Sequence, residues 1–260
     1  MKRLLIMLCL VAAVSSCGVA NRTADYAYKG KITVGICKSG SSKETLKYFK
    51  KCVRNAGAKP YFFEYYATTD EMAKEYLSKV DALIVPGKSG GDTTGRNKYD
   101  KKVIAAALDQ GKPMLGICLG HQEIDSFYGG STGSVKKNYP ESNLIHRNKV
   151  GDENIGLRTE AHAINIEKDS RLYKVLGQER IMVNTSHNYS VIKVGEGLRV
   201  VATADDGVVE AIEDNSRNVM GVQFHPEYLY GFLHLKQFLP IFKNLVDEAR
   251  AVRSADMGVK

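Results

Sequence analysis

Short apolar segments alternate with amphipathic segments through the first half of the chain, and this alternation strongly limits the possible folds. The apolar segments, rich in β-branched residues, are predicted strands at residues 31–37, 60–65, 81–85 and 113–118. Apolar residues at helical spacing predict helices between them, at residues 43–55, at residues 70–78 with Asp70 as the cap, and at residues 100–110. Such alternation is typical of a parallel sheet with helices on both faces.

The pattern changes beyond Gly130, where short β segments dominate. They lie at residues 163–166, 180–183, 198–204, 208–212 and 219–224, and a last helix is predicted at residues 233–250. The predicted fold class is therefore α/β, with an open, mostly parallel sheet flanked by helices and additional short β segments in the C-terminal half. No linker rich in Pro, Gly or Ser divides residues 31–250, which predicts one domain followed by a tail at residues 251–260.

Composition excludes several classes of protein. Hydrophobic residues make up 43% of the chain and charged residues 25%, as in folded domains, which argues against a disordered, fibrous or multi-span membrane protein. The net charge of +8 could suit nucleic acid. The basic residues do not form a stripe with aromatic ones, however, so solvated surfaces are the favoured interpretation and no nucleic-acid partner is predicted. Composition predicts nothing about oligomeric state.

The N-terminus has the features of an export signal. Lys2 and Arg3 precede an apolar run at residues 4–14, which is shorter than the roughly 20 residues of a spanning helix. Residues 14–17, Val-Ser-Ser-Cys, resemble the bacterial lipobox, in which the chain is cut before a cysteine that carries a diacylglycerol. The resemblance predicts a signal peptide at residues 1–16, Cys17 as lipid anchor, a tether at residues 17–30, and a periplasmic or outer-membrane lipoprotein. The alternative is ordinary secretory cleavage nearby, with Cys17 incidental.

The remaining cysteines divide into two kinds. Cys37 and Cys52 fall at apolar positions of a strand and a helix and are expected in the core, with a disulfide between them as the less favoured alternative. No CxxC pair or histidine-rich spacing indicates a metal, and no cofactor is predicted. Cys118 differs because of its neighbours.

Cys118 lies between two glycines at a strand-to-helix junction. Residues 116–120 read Gly-Ile-Cys-Leu-Gly, the cysteine form of the spacing known as the nucleophile elbow. At a helix N-terminus the partial positive charge favours a thiolate. The N–H of Leu119 would then point to a developing oxyanion. The alternative is a buried structural cysteine beside two incidental glycines.

A base and a group that orients it follow the last predicted strand. Residues 221–227 read Gly-Val-Gln-Phe-His-Pro-Glu, so His225 would move the proton and Glu227 would hold its imidazole in the required tautomer. A histidine in such a motif, together with the Cys118 motif, favours catalysis over a structural role.

These two motifs, GICLGHQ and GVQFHPE, resemble the class I glutamine amidotransferase superfamily, whose fold is flavodoxin-like. Residues 184–187, 197–202 and 206–212 are further similar to its γ-glutamyl-γ-aminobutyrate hydrolase branch. The resemblance implies a catalytic triad, a second oxyanion donor in the loop after the third strand, and a substrate pocket. The implied triad is Cys118 with His225 and Glu227. The implied oxyanion donors in the loop are Gly87 and Lys88, and the implied pocket residues are Gln122, Ser186 and His187.

The chain departs from the family pattern near the predicted pocket. Lys88 stands where the family loop has a second glycine, Leu119 and His121 are closer to biosynthetic amidotransferases, and Tyr189 replaces a glutamine. The resemblance therefore predicts the chemistry of this chain better than it predicts the substrate.

Three functions fit these features. The first is a lipid-anchored cysteine hydrolase of γ-glutamyl amide bonds, acting on a small γ-glutamyl substrate through a thioester on Cys118. The second is a glutaminase subunit that supplies ammonia to a partner synthetase, which the export signal and the absence of a following synthetase domain disfavour. The third is a binding lipoprotein without catalysis, which the intact triad disfavours.

Overall fold

A nine-stranded sheet forms the centre of the molecule in this computed structural model, which describes residues 30–38, 41–63, 69–88, 96–147 and 156–258. The described strands are β1 Thr33–Cys37, β2 Lys59–Phe63, β3 Ala82–Val85, β4 Met114–Ile117, β5 Ser131–Ser134, β6 His162–Ile166, β7 Arg180–Val183, β8 Tyr189–Lys193, β9 Arg199–Ala204, β10 Val209–Asp214 and β11 Val219–Val222. Their order in the sheet is β2-β1-β3-β4-β11-β10-β9-β6-β7. From β2 to β11 neighbours pair in parallel, and from β11 to β7 they pair antiparallel. Strands β5 and β8 form a separate antiparallel pair. The predicted fold class is confirmed.

Helices cover both faces of the sheet. They are α1 Lys43–Asn55, α2 Asp70–Ser78, α3 Arg96–Asp109, α4 Leu119–Phe127, α5 Val135–Asn138, α6 Arg171–Leu176, α7 Pro226–Gly231 and α8 Leu239–Asp256. Alternate residues of β1 enter different cores: Val34 and Ile36 pack with α1 and α8, whereas Cys37 packs with α2 and α3. Cys52 lies in the first of these cores, so Cys37 and Cys52 are buried on opposite faces and no disulfide joins them. Their predicted place in the core is confirmed, and the disulfide alternative is wrong.

Side-chain caps explain where the first two helices begin. The hydroxyl of Ser42 accepts a hydrogen bond from the N–H of Thr45 at 3.1 Å, and α1 has the predicted bounds. The cap of α2 is Thr69, whose hydroxyl accepts from the N–H of Met72. The prediction of Asp70 as this cap is wrong, because Asp70 already lies in the first helical turn, where its charge favours the helix dipole.

The end of the chain differs most from prediction. Helix α8 begins at Leu239 rather than at residue 233, because His234 has a left-handed φ of 61° and Lys236–Phe238 is a separate 3-10 turn. Pro240 suits the first turn of α8, where its missing N–H costs nothing. The helix continues to Asp256, so residues 251–256 of the predicted tail are helical.

Smaller differences affect other elements. Helix α3 begins at Arg96, four residues before its predicted start, and β2 begins one residue before its own. Strands β5 and β8 and the short helices α5, α6 and α7, each of four to six residues, lie outside the predicted elements. The predicted signal peptide and residues 17–29 of the predicted tether lie outside the described residues. Within the described part of the chain, no helix has both the length and the apolar character needed to cross a membrane.

The packing of α8 on the sheet predicts a large effect of truncating its central aromatic residue. Phe242 is fully buried in the core shared with α1, so Phe242→Ala is expected to lower the free energy of unfolding by about 3–5 kcal/mol. Phe127→Ala, the same change at a side chain that is 36% exposed, is the matched control and should cost much less. Urea denaturation measures both, and equal losses would contradict this assignment of the core.

Candidate active site

Cys118 occupies a strained position between β4 and α4. Its backbone has φ 51° and ψ −105°, a left-handed φ that a non-glycine residue rarely adopts, and it precedes the first residue of α4. Its N–H donates to the carbonyl of Val222 in β11 at 2.8 Å, and the residue is buried. The backbone therefore has the geometry predicted for a nucleophile elbow.

The glycines on either side are required by close packing. A Cβ at Gly120 would lie 1.9 Å from the carbonyl oxygen of Val85, and one at Gly116 would lie 2.8 Å from the backbone of Gly120. Both distances are far below van der Waals contact, so only glycine allows the elbow to pass between α4 and the end of β3.

His225 and Glu227 form a buried pair after β11. The Nδ1 of His225 donates to Glu227 Oε1 at 2.8 Å, and each side chain is at most 1% exposed. Burial lowers the pKa of His225, but the negative charges of Glu227 and Cys118 outweigh burial and raise the pKa to about 10. Since Nδ1 is held by Glu227, Nε2 is the ring nitrogen available to Cys118, whose charge contributes to the raised pKa of His225. The three predicted catalytic side chains are thus brought together.

Asn184, at the end of β7, fixes the backbone of His225. Its Oδ1 accepts from the His225 N–H at 2.8 Å, and its Nδ2 donates to the His225 carbonyl at 3.1 Å. The sequence analysis uses Asn184 only as part of the family similarity at residues 184–187 and does not predict this role. No local signal indicates it, because the backbone that Asn184 binds lies 41 residues away in the sequence.

The predicted oxyanion donors follow two adjacent strands. Leu119 opens α4 next to Cys118, and Gly87 follows β3. A Cβ at Gly87 would lie 3.1 Å from Cys118 Cβ and 2.6 Å from His225 Cε1, so the Gly87 backbone packs against both. Lys88 is exposed, and residues 89–92 of the predicted loop lie outside the described residues.

Two of the predicted pocket residues, Gln122 and His187, are connected through one carbonyl. The Nε2 of Gln122 donates to Tyr189 O at 2.7 Å, and the Nδ1 of His187 donates to the same oxygen at 3.1 Å. Ser186 is half-buried and pairs as a β-bridge with Arg147. Contact of Gln122, Ser186 and His187 with substrate stays a prediction.

The flavodoxin-like sheet and the grouping of Cys118, His225 and Glu227 at its edge define a glutamine amidotransferase-like hydrolase of class I. The chain belongs to the Peptidase C26 family, whose family model matches residues 33–227. The resemblance inferred from the two motifs is confirmed at this level.

Individual relatives agree with this assignment. The chain is 30% identical to "Putative glutamine amidotransferase-like protein YvdE" of Lactococcus lactis, over 67% of this chain and 78% of that protein. It is also 30% identical to a glutamine-hydrolyzing GMP synthase subunit of Sulfurisphaera tokodaii, over 70% and 84%. A crystal structure from Thermoplasma acidophilum, described as a putative GMP synthase subunit, superposes with a TM-score of 0.66, covering 87% of this chain and 98% of that one. At 17% identity, the superposition shows the fold alone.

The buried His225–Glu227 pair predicts an imidazolium that persists above neutral pH. Because its pKa is raised from 6.5 to about 10, the ring should stay protonated through pH 8 and lose its proton only near pH 10. Glu227→Gln removes the charge that opposes burial and should lower this pKa by about one to three pH units. Titration of histidine ring nitrogens by NMR measures both.

The control for this titration is Glu248→Gln, which removes a carboxylate paired with Arg171 instead. The control should leave the pKa of His225 unchanged. A His225 ring already neutral at pH 8 in the unmodified protein would contradict the assigned pairing.

Proposed function

We propose that the protein hydrolyses γ-glutamyl amide bonds with Cys118 as nucleophile. The observation that carries the proposal is the juxtaposition of a strained Cys118 with a charged His225 whose other ring nitrogen is held by Glu227. A cysteine beside an imidazolium and at a helix N-terminus is the arrangement typical of nucleophilic cysteines.

The proposed reaction proceeds through a thioester. The Cys118 sulfur attacks the amide carbon, and the carbonyl oxygen becomes an oxyanion next to the N–H groups of Leu119 and Gly87 or Lys88. The tetrahedral intermediate collapses as His225 Nε2 gives its proton to the departing amine, which leaves a γ-glutamyl thioester. The neutral His225 then takes a proton from water, and the resulting hydroxide attacks the thioester. Collapse of this second intermediate releases the γ-carboxyl product and restores the thiolate and the imidazolium.

The substrate is proposed to be a γ-glutamyl amide with a substituted amine. The similarity of residues 206–212 to the γ-glutamyl-γ-aminobutyrate hydrolase branch supports this class. Tyr189, which is 56% exposed, and the exposed Lys88 offer an aromatic surface and a charge for such an amine. A substituted amine can bury apolar area worth about 25 cal/mol per Å², whereas ammonia cannot.

A glutaminase that supplies ammonia to a partner is the second candidate. It is favoured by the similarity to the S. tokodaii protein, which is named as glutamine-hydrolyzing and as part of a GMP synthase. Both candidates use the same triad, so they differ in the leaving amine and in the need for a partner. A binding protein without catalysis would leave the charged, buried triad unexplained.

Kinetics with defined substrates test the proposal. The purified protein should cleave at least one γ-glutamyl dipeptide or γ-glutamyl-γ-aminobutyrate with kcat/KM about tenfold above that for glutamine, which corresponds to about 1.4 kcal/mol of barrier. Cys118→Ala should abolish all cleavage. Cleavage of glutamine alone, accelerated by a partner protein, would support the second candidate, and full activity of Cys118→Ala would overturn the chemistry.

The proposed location is the cell envelope, with a lipid on Cys17. The support is the lipobox-like sequence at residues 14–17. Each buried methylene of an acyl chain contributes about 0.8 kcal/mol, so several chains hold a protein on a membrane. Cys17→Ala should therefore move the protein from the membrane fraction to the soluble fraction or block its maturation. Cys9→Ala, within the predicted signal peptide, is the matched control, and identical fractionation of the two variants would contradict the anchor.

A further inference from the structure

Four buried side chains outside the triad converge on one point. They are His146, His162, His187 and Glu210, here called the His/Glu cluster, and none is more than 6% exposed. Glu210 belongs to β10 and His162 to β6, whereas His146 and His187 lie in connecting segments. The proposed reaction assigns no chemical step to any of them.

The polar atoms of the cluster are spaced like metal ligands. Glu210 Oε1 lies 3.2 Å from His162 Nε2, 3.5 Å from His187 Nε2 and 3.7 Å from His146 Nδ1. The last two nitrogens are 3.3 Å apart. A tetrahedral zinc site with bonds of about 2.0–2.1 Å places its ligand atoms about 3.3–3.4 Å apart. One ligand atom each of His146, His162 and Glu210 lies within 4.8 Å of the other two, and His187 joins this set through its contacts with Glu210 and His146.

The outer nitrogen of each ring is bound to an oxygen. His146 Nε2 pairs with Asp206 Oδ2 at 2.8 Å, His162 Nδ1 with Ile145 O at 3.2 Å, and His187 Nδ1 with Tyr189 O at 3.1 Å. Carboxylate and carbonyl oxygens only accept hydrogen bonds, so these outer nitrogens carry the protons. Metal-binding histidines in proteins have the same second layer of contacts, because the ring nitrogen that does not bind the metal donates a hydrogen bond to a nearby oxygen.

The inner side of the cluster consequently brings ring nitrogens and a carboxylate oxygen together, an arrangement that a bound cation would stabilise. With its proton on Nε2, His146 has a lone pair on Nδ1, which faces His187 Nε2 at 3.3 Å and Glu210 Oε1 at 3.7 Å. The other oxygen, Glu210 Oε2, is buried without a hydrogen-bond partner among the described residues.

We propose that His146, His162, His187 and Glu210 bind one zinc ion. Three imidazoles and one carboxylate suit this metal, and four protein ligands leave no open position, so the ion is structural rather than catalytic. It would fix the segment of residues 184–189, because His187 belongs to that segment and its ring holds the Tyr189 carbonyl that Gln122 also binds. The proposal does not depend on the substrate or on the activity.

Zinc content and thermal stability of the full chain test the proposal. Protein stripped with a chelator and dialysed against zinc chloride should retain one zinc per chain by elemental mass spectrometry. Zinc at about a hundredfold above its dissociation constant should raise the Tm by about 5–10 °C, and magnesium should not. A wild-type protein that retains no zinc and gains no stability overturns the proposal and leaves a hydrogen-bonded, proton-bearing cluster.

Variants assign the ion to these ligands. Glu210→Gln and His162→Asn should each weaken zinc binding at least tenfold, whereas His234→Gln, at an exposed histidine outside the cluster, should bind as the wild type does. Should either cluster variant fail to fold, Co²⁺ added to the stripped wild type is decisive: intense visible absorption of a tetrahedral ion at one equivalent supports the site, and the weak absorption of an octahedral ion overturns it. Zinc bound equally well by all three variants would also overturn it.

Discussion

The parallel pairing of β4 with β11 is the contact on which the rest of the site depends. Gly116 lies opposite Gly221 and Ile117 opposite Val222, and the N–H of Cys118 continues this ladder to Val222 O. Because parallel strands end at the same edge, the residues that follow each strand meet there. A slip of one residue in this register would turn the side chains of β11 to the opposite face and displace His225 by about 3.3 Å. Strand β3, on the other side of β4, brings Gly87 to the same edge. Three neighbouring strands thus each position one part of the proposed catalytic arrangement.

The features predicted correctly are those whose signals are local in sequence. Helix α1 has its hydroxyl cap and its apolar spacing within one short segment, and the elbow glycines stand directly beside Cys118. Alternating strands and helices also fix parallel pairing, since each helix must return the chain to the starting edge. This logic is enough to predict Cys118 and His225 at one edge of the sheet. The same local logic misplaced α8, because apolar spacing continues through the break at His234 and the turn that precedes Pro240.

The features missed depend on residues far apart in sequence. The order β11-β10-β9-β6-β7 inserts β9 between β10 and β6, and no local pattern encodes that neighbour relation. The His/Glu cluster follows from this order, because β6 and β10 flank β9 and present His162 and Glu210 to one another across it. Its four members are separated by 16 to 25 residues, so no ligand spacing of the compact kind exists to be recognised in the sequence. The role of Asn184 was missed for the same reason, because its hydrogen-bond partner His225 lies 41 residues away in the sequence.

The segment of residues 184–189 connects the cluster to the triad. At one end Asn184 makes two hydrogen bonds to the backbone of His225, and at the other end the ring of His187 and the amide of Gln122 hold the carbonyl of Tyr189. A general base must keep its ring within a fraction of an ångström of the reacting atoms, and a loop cannot provide that precision by itself. The strain at Cys118 adds to this demand, because a strained backbone persists only where its surroundings over-determine it. The buried polar cluster therefore serves the site through rigidity. Its hydrogen-bonded groups hold His187 and Tyr189 at one end of the segment, while Asn184 at the other end positions His225. A cation bound to the cluster would strengthen this constraint without entering the reaction.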